Sequence, residues 1–275
     1  MLYIVATPIG HLSDITFRAV EILKSCDLIL CEDTRHSRIL MDKYAISTPL
    51  QSYHKFSESE QLERILSDLR TGKQLALISD AGTPCISDPG QKLVNACHLN
   101  NIPIATIPGP CAAIAALAAS GLPSDRFQFI GFLPKKQTEL VNAIAEAMNY
   151  RGTSICYESP QRIKNILAYI NTVAPDRQLA LARELTKKFE ECVRGTAIEL
   201  LEHWNLSAKK GELVLMISPF EESEALIEKL SVADHVIKLC RDYNLSKKES
   251  IKLVAEMRNL PKREVYQALL EKESE

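Results

Sequence analysis

The sequence predicts an α/β protein of two domains with a small helical C-terminal appendix. Three observations carry that reading. Short apolar runs alternate with amphipathic stretches through most of the chain, the pattern of a mostly parallel sheet with helices packed on it. The strand-and-helix rhythm breaks around Ser120-Gly121-Leu122-Pro123-Ser124-Asp125 and then resumes. After Pro219 the periodicity is purely helical. The domains expected are 1–120, 121–220 and a helical 221–275.

In the first domain, Leu2–Ala6, Leu28–Glu32, Leu75–Ser79 and Ile102–Ile107 read as strands buried on both faces. Thr16–Ser25, Ser37–Tyr44, Glu58–Thr71 and the small-residue stretch Ala112–Ala119 read as helices. Ser57 and Glu60 form a capping box for the third of these. In the second domain, Phe127–Gly131, Thr153–Tyr157, Gln178–Arg183, Cys192–Thr196 and Leu213–Ile217 read as strands. Gln137–Asn149 and Gln161–Val173 read as helices between the early ones. The later strands follow one another closely, so part of this sheet should be antiparallel. The acidic Glu221-Glu222-Ser223-Glu224 opens the last segment. There Val236, Ile237 and Cys240 recur at helical spacing, with breaks at Asn244-Leu245-Ser246 and Leu260-Pro261.

Composition narrows the function classes. At 275 residues, 46% hydrophobic and 25% charged, the chain is neither disordered nor fibrous. No apolar run approaches the ~18 residues of a membrane span. The start, Met1-Leu2-Tyr3-Ile4-Val5-Ala6, reads as a strand rather than a signal peptide. A net charge of −2 offers no general basic coat for nucleic acid. The eight cysteines lack any Cys-x-x-Cys pair, and the six histidines do not join them at ligand spacing. A reduced, cytosolic, metal-free protein is expected.

The chemistry-bearing residues follow the strands, where open α/β sheets bind ligands. Ala6-Thr7-Pro8-Ile9-Gly10-His11-Leu12 holds a single glycine and is no dinucleotide fingerprint; it is either a ligand loop or a turn into a helix capped by Ser13 or Asp14. Cys31-Glu32-Asp33-Thr34-Arg35-His36 is dense in proton-accepting and charged groups, or else a surface ion pair with Thr34 as helix cap. Ser79–Gly90 is twelve residues rich in Gly, Pro, Asp and Ser. It can turn carbonyl and carboxylate oxygens toward a polar or cationic ligand, or make two turns with Asp88 as cap. Pro108-Gly109-Pro110 makes a tight bend before small residues that permit close approach. In the second domain, Tyr157–Arg162 and Ala182–Glu190 again follow strands. Domain interfaces favour small-molecule pockets, so a cleft between the two domains is expected.

Taken together these loops resemble the tetrapyrrole-methylase superfamily of S-adenosylmethionine-dependent methyltransferases. The resemblance spans essentially the whole chain: Val5–Gly10, Cys31–His36, Ser79–Gly90, Pro108–Pro110, Tyr157–Pro160, Ala182–Glu190, Arg194-Gly195 and Lys210-Gly211-Glu212. Leu245–Glu249 and Asn259–Glu264 look like a helix-turn-helix appendix. Within the superfamily they are similar to the branch that methylates the ribose 2′-hydroxyl of a cytidine in the decoding region of small-subunit ribosomal RNA. The chain departs from that pattern at four side chains: His11 stands where Asn is usual, Cys111 where Ser is, Gln161 where His is, and Cys156 where an aromatic is common.

The resemblance implies S-adenosylmethionine between the domains, touching Pro8, Asp80, Gly82, Thr83, Ile86, Ala112, Tyr157 and Ala182, and a homodimer. Its partner would be ribosomal RNA or the assembled small subunit. Alignment of the ribose oxygen with the methyl can supply roughly 7–11 kcal/mol. A base or a cationic stabiliser would add about 10²–10⁴-fold. The candidates are Asp33 as base and Arg35 orienting phosphate or substrate, then His11 and Lys187; no spacing selects among them. For RNA, the window Lys238–Arg263 holds eight basic and three acidic residues, a local +5. Two other functions fit the same pattern: carbon methylation of a tetrapyrrole, or a ligand-sensing nucleic-acid regulator.

Overall fold

The computed structural model describes residues 1–55, 58–205, 211–220 and 230–273. Ser57, Lys210 and the acidic stretch Glu221–Glu224 lie outside the described residues. The chain forms two compact units, Met1–Ala115 with Glu184–Glu190, and Ala116–Arg183 with Glu191–Glu275.

The first unit is a five-stranded, wholly parallel sheet. Its strands are β1 (Leu2–Val5), β2 (Leu28–Cys31), β3 (Leu50–Ser52), β4 (Leu75–Leu77) and β5 (Ile104–Ile107), in the order β3-β2-β4-β1-β5. The helices are α1 (Phe17–Ser25), α2 (Thr34–Lys43), α3 (Glu58–Arg70), α4 (Gln91–Leu99) and α5 (Ala112–Ser120), the last running on into the second unit. Side chains alternate across the sheet. Leu2, Leu30, Leu75 and Leu77 pack with Ile65, Leu66 and Leu69 of α3 and Leu93 and Cys97 of α4. Val5, Ile29, Cys31 and Ala76 pack with Ala19 and Leu23 of α1 and Leu40 and Met41 of α2. Both faces are covered, which is why these strands appear as unbroken apolar runs.

Several boundaries differ from the sequence expectation. β3 is an edge strand of three half-buried residues with no apolar run to announce it. α4 begins at Gly90, not at an Asp88 cap. α1 is capped by Thr16, whose side chain accepts the Ala19 N–H, while Leu12–Asp14 form a separate 3₁₀ turn. α2 starts at Thr34, three residues before the expected Ser37. Its cap is Asp33 rather than Thr34.

The second unit is a mixed sheet of β6 (Phe127–Phe132), β7 (Thr153–Glu158), β8 (Leu179–Arg183), β9 (Glu191–Gly195) and β10 (Leu213–Ile217). The order is β6-β7-β10-β8-β9, parallel only between β6 and β7. The antiparallel part anticipated from strand spacing is therefore present. The seven residues joining β8 to β9, 184–190, belong to the first unit. Helices α6 (Gln137–Met148), α7 (Ile163–Val173) and α8 (Ala197–Asn205) pack on the sheet, α8 having no counterpart in the sequence reading.

Three C-terminal helices, α9 (Val232–Tyr243), α10 (Lys247–Met257) and α11 (Lys262–Glu273), break where Asn244–Ser246 and Leu260-Pro261 indicate. Val236, Leu239, Tyr243, Leu253, Val254, Val265 and Leu269 share one core with Ile144, Ile166, Leu200, Leu213 and Leu215. Asn244 turns α9 off in the left-handed region, and Ser246 with Glu249 forms a capping box on α10. Asn142 of α6 donates to the Glu249 carboxylate at 2.8 Å, so the cap is also a tertiary tie. Among the described residues no helix is long and apolar enough to cross a membrane.

Candidate functional site

Three loops of the first unit converge on a fourth, residues 79–90, which follows β4. The loop after β1 is joined to it by a reciprocal backbone pair, Thr7 N–H to the Gly82 carbonyl at 2.9 Å and Gly82 N–H to the Thr7 carbonyl at 3.1 Å. Thr7 Oγ1 also donates to the Ser79 carbonyl at 3.0 Å. The loop after β2 is tied in through the Asp33 N–H, which donates to Asp80 Oδ1 at 3.2 Å. The loop after β5 is held by Thr83 Oγ1, donating to the Pro110 carbonyl at 3.1 Å. Sequence separations of 27 to 75 residues thus close into one cluster at the carboxyl ends of the strands.

The segment is strained. Gly82 and Gly90 have φ of 82° and 126°, and the non-glycine Cys85 and Ser87 have φ of 71° and 66°. Positive φ at ordinary residues costs on the order of 1–3 kcal/mol and persists where surrounding structure overdetermines it. Segment 184–190 of this unit is also strained, with Glu184 at 50° and Thr186 at 64°. It packs on Gly10: a Cβ there would stand 2.5 Å from Lys187 Cγ and 2.9 Å from the Leu185 carbonyl, so only glycine fits. The His11 N–H donates to Thr186 Oγ1 at 2.9 Å, and Lys187 pairs with Glu184 at 3.0 Å. Two of the four candidate reacting groups, His11 and Lys187, therefore sit on neighbouring backbone.

The other two form a unit of their own. Asp33 accepts the Arg35 N–H at 2.8 Å as the cap of α2, and Arg35 Nη2 reaches Asp33 Oδ2 at 3.0 Å. These hydrogen bonds hold the Asp33 carboxyl down at about 2. Such a carboxylate is a poor proton acceptor. The Arg35 side chain is 90% exposed and open to an anionic group. In His11, Nδ1 accepts the Ser13 N–H at 3.3 Å, which places the neutral ring's proton on Nε2. The Asp33–Arg35 pair thus offers a cation more readily than a free base.

An acidic set lies nearby, of which the sequence reading singles out Asp80, Asp88 and Glu32 but not Glu58. Burial raises Asp88 to about 6, with Glu32 and Asp80 adding repulsion. Burial and the Asp80 charge also raise Glu32. Glu58, buried on α3, accepts the Gly90 N–H at 2.7 Å. No local signal marks Glu58, because it stands in an acidic first turn that looks solvated. Pro8 and Gly82 are buried, Asp80 and Thr83 half-buried, Ile86 exposed, and Ala112 opens α5.

In the second unit, Tyr157 and Ala182 occupy one row. Both stand opposite Val214 of β10, and the row continues to Phe132 and Cys192. The rings of Phe129 and Phe132 meet Tyr157 edge-on, with centroids 4.9 and 5.5 Å away. The following turn is pinned by Arg162, which pairs with buried Glu158 at 3.3 Å and donates to the Leu133 and Pro134 carbonyls. Among the described residues no group of three His, Cys, Asp or Glu is placed to hold a metal ion.

A family model for tetrapyrrole (corrin/porphyrin) methylases matches residues 1–201. The chain belongs to this family. Relatives sharing much of its length are named ribosomal RNA small subunit methyltransferase I. That of Halalkalibacterium halodurans is 43% identical, covering 96% of this chain and 93% of its own. That of Bacillus subtilis is 40% identical, covering 98% and 93%. Solved structures of tetrapyrrole methylases share the fold. The methyltransferase CobJ superimposes with a TM-score of 0.60 at 18% identity, covering 79% of this chain and 93% of its own. A uroporphyrin-III C-methyltransferase from Thermus thermophilus, complexed with S-adenosylhomocysteine, gives 0.54 at 17%, covering 78% and 96%. The converging loops after β1, β4 and β5 thus lie inside the part matched by the family.

Proposed function

We propose that this chain is an S-adenosylmethionine-dependent methyltransferase acting on the ribose 2′-hydroxyl of a cytidine in the decoding region of small-subunit ribosomal RNA. One observation carries the reading: relatives named ribosomal RNA small subunit methyltransferase I are 40–43% identical over 96–98% of the chain, whereas the porphyrin and corrin methylase structures are 18–19% identical over 79%. A cytoplasmic location and a homodimer belong to the same reading.

The first unit fits a cationic cofactor. Asp80, Asp88 and Glu32 repel one another in a half-buried setting, which leaves negative charge that a cation would relieve. When bound, S-adenosylmethionine supplies an electrophilic methyl on a sulfonium and keeps a second positive charge on its ammonium. Pro8, Asp80, Gly82, Thr83, Ile86 and Ala112 of the first unit, with Tyr157 and Ala182 of the second, are the residues assigned to hold it. The strained 79–90 segment prepays its conformational cost at folding.

The residues around Asp33 support a cationic stabiliser rather than a side-chain base. Arg35 orients a phosphate or the reacting ribose and offsets the charge gathering on its oxygen. Asp33 acts on Arg35, holding the guanidinium in place. Lys187, held by Glu184 beside Gly10 and His11, supplies a second cation.

The deciding experiment uses labelled S-adenosylmethionine and small ribosomal subunits lacking the modification, followed by nucleoside mass spectrometry. Label in 2′-O-methylcytidine is the expected result. No label on RNA, with label on a porphyrinogen, would replace this reading with tetrapyrrole methylation. Cofactor binding with no transfer to either would favour a sensor.

A further inference from the structure

At least four of the eight basic residues in the window 238–263 have partners within the protein, three of them at its surface. Lys238 and Arg241 both bind Asp242, at 2.6 and 2.8 Å. Arg258 donates to His235 Nδ1 at 3.1 Å and to the Leu230 carbonyl at 3.0 Å. Lys252 stands 4.0 Å from Glu146. An RNA grip spread over the outer surface of these helices is correspondingly weakened.

Beside them the second unit contains a cavity of about 890 Å³, bounded by the starts of β6 and β7, by α6 and by α10. Its floor is apolar, with Leu253 and Met257; Tyr150 and Phe220 add aromatic rings. Arg126 lies over the Tyr150 ring at 5.5 Å and makes no ion pair among the described residues. Arg151, Glu146 and Glu256 also line it, with Arg258 held at the wall by its bonds to His235 and the Leu230 carbonyl, so Arg126 is the cation offered to a ligand. Aromatic rings and an apolar floor receive unstacked bases, while arginines meet the phosphates between them. A regular duplex keeps its bases stacked inside and cannot present them to such a cavity.

The cavity lies on the opposite face of the sheet from Tyr157. Gln128, which lines it, pairs in register with Ser154, and Ser154 Oγ donates to the Ala147 carbonyl of α6. Tyr157 is three residues further along β7, an odd step that turns its side chain to the other face. Phe129, which also lines the cavity, is the residue it shares with the Tyr157–Ala182 row.

We propose that this cavity binds one or two unstacked nucleotides of a single-stranded RNA segment flanking the methylated position. The proposal rests on the ribosomal RNA reading and adds a second point of attachment to it.

The test uses the full chain, a fluorescein-labelled ten-nucleotide pyrimidine-rich single-stranded RNA, and the variants Arg126→Glu and Tyr150→Ala. Arg126 is exposed, so its replacement leaves the fold intact. Each variant should bind this RNA at least fivefold more weakly, with a flatter salt dependence for Arg126→Glu, and with S-adenosylmethionine affinity unchanged by calorimetry. The KM for small subunits should rise while kcat holds. A 4-thiouridine version of the oligonucleotide should crosslink to peptides spanning 147–151 or 253–258. Affinity within twofold of the parent for both variants, or crosslinks confined to the first unit, would overturn the proposal. If the parent still methylates small subunits in that case, the cavity proposal alone falls. If the variants lose RNA binding but the parent methylates no ribosomal RNA, the cavity assignment stands and the reading of the reaction falls.

Discussion

Glu58 Oε1, buried on α3, accepts the backbone N–H of Gly90 at 2.7 Å and faces the Tyr53 hydroxyl at 3.4 Å. One carboxylate thereby latches the end of the strained 79–90 segment to a helix 32 residues away. Glu58→Ala strands both donors, and each unpaired buried group costs about 1–3 kcal/mol. The variant should melt at lower temperature and bind S-adenosylmethionine more weakly. Thermal unfolding with and without cofactor checks this: an unchanged cofactor-induced shift in Tm would deny Glu58 any positioning role.

Gly90 offers a sharper comparison. A Cβ there would lie 2.5 Å from Leu77 Cδ2 and 2.8 Å from Cys85 Sγ, and the backbone stands at φ 126°. At Gly72, φ is 93° but no atom lies within 4 Å of the added Cβ. Gly72→Ala should cost only backbone strain, about 1 kcal/mol, and Gly90→Ala at least twice that. Urea midpoints of the two variants give the answer. Equal losses would mean that the neighbours of Gly90 yield freely.

Asp33→Asn separates two functions of one side chain. Asparagine caps a helix as well as aspartate does, so α2 should keep its stability. The ion pair to Arg35 is lost. Turnover on small subunits should fall by about tenfold or less, whereas removal of a true general base costs about 10²–10⁴-fold. Arg35→Ala should lower kcat and leave cofactor affinity alone. A loss above a hundredfold for Asp33→Asn at unchanged Tm would restore Asp33 as the base.

His235 makes the C-terminal helices acid-sensitive. Burial first, then the charges of Arg258 and Lys238, push it down to about 4. The unfolded ring, titrating near 6.5, binds a proton that the folded ring refuses between those values. Its contribution to stability is complete above about pH 6.5 and is lost as pH falls toward 4. His235→Gln should be less stable at pH 7 but lose less on going to pH 5. Parallel losses in both proteins, followed by urea titration, would exclude the ring as the source.

Much of the architecture is legible in the chain because burial on both sheet faces writes β2 and β4 as apolar runs, and because a loop with fixed backbone angles must be built from Gly, Pro, Asp and Ser. The site loops were found for the same reason: each follows such a run. β3 escaped because Leu50-Gln51-Ser52 is a three-residue edge with no run to read. α2 was placed three residues late because Asp33 and Thr34 are both acceptable caps, and only the backbone at Asp33, extended at φ −119°, decides between them.

Apart from β3 and α8, the sequence by itself determined the types of the elements it marks, the breaks among the last three helices and the loops where chemistry gathers, since those depend on local periodicity and local backbone freedom. The tertiary structure alone decided what the side chains in those loops do. Asp33 became a clamp on Arg35 beside Asp80, Glu58 a latch on Gly90, and Lys187 a neighbour of Gly10. The contacts of Glu58 with Gly90, Asp33 with Asp80 and Lys187 with Gly10 join residues 32, 47 and 177 apart. Charge and hydrogen bonding act through space, and no spacing along a chain encodes which distant groups folding brings within 3 Å.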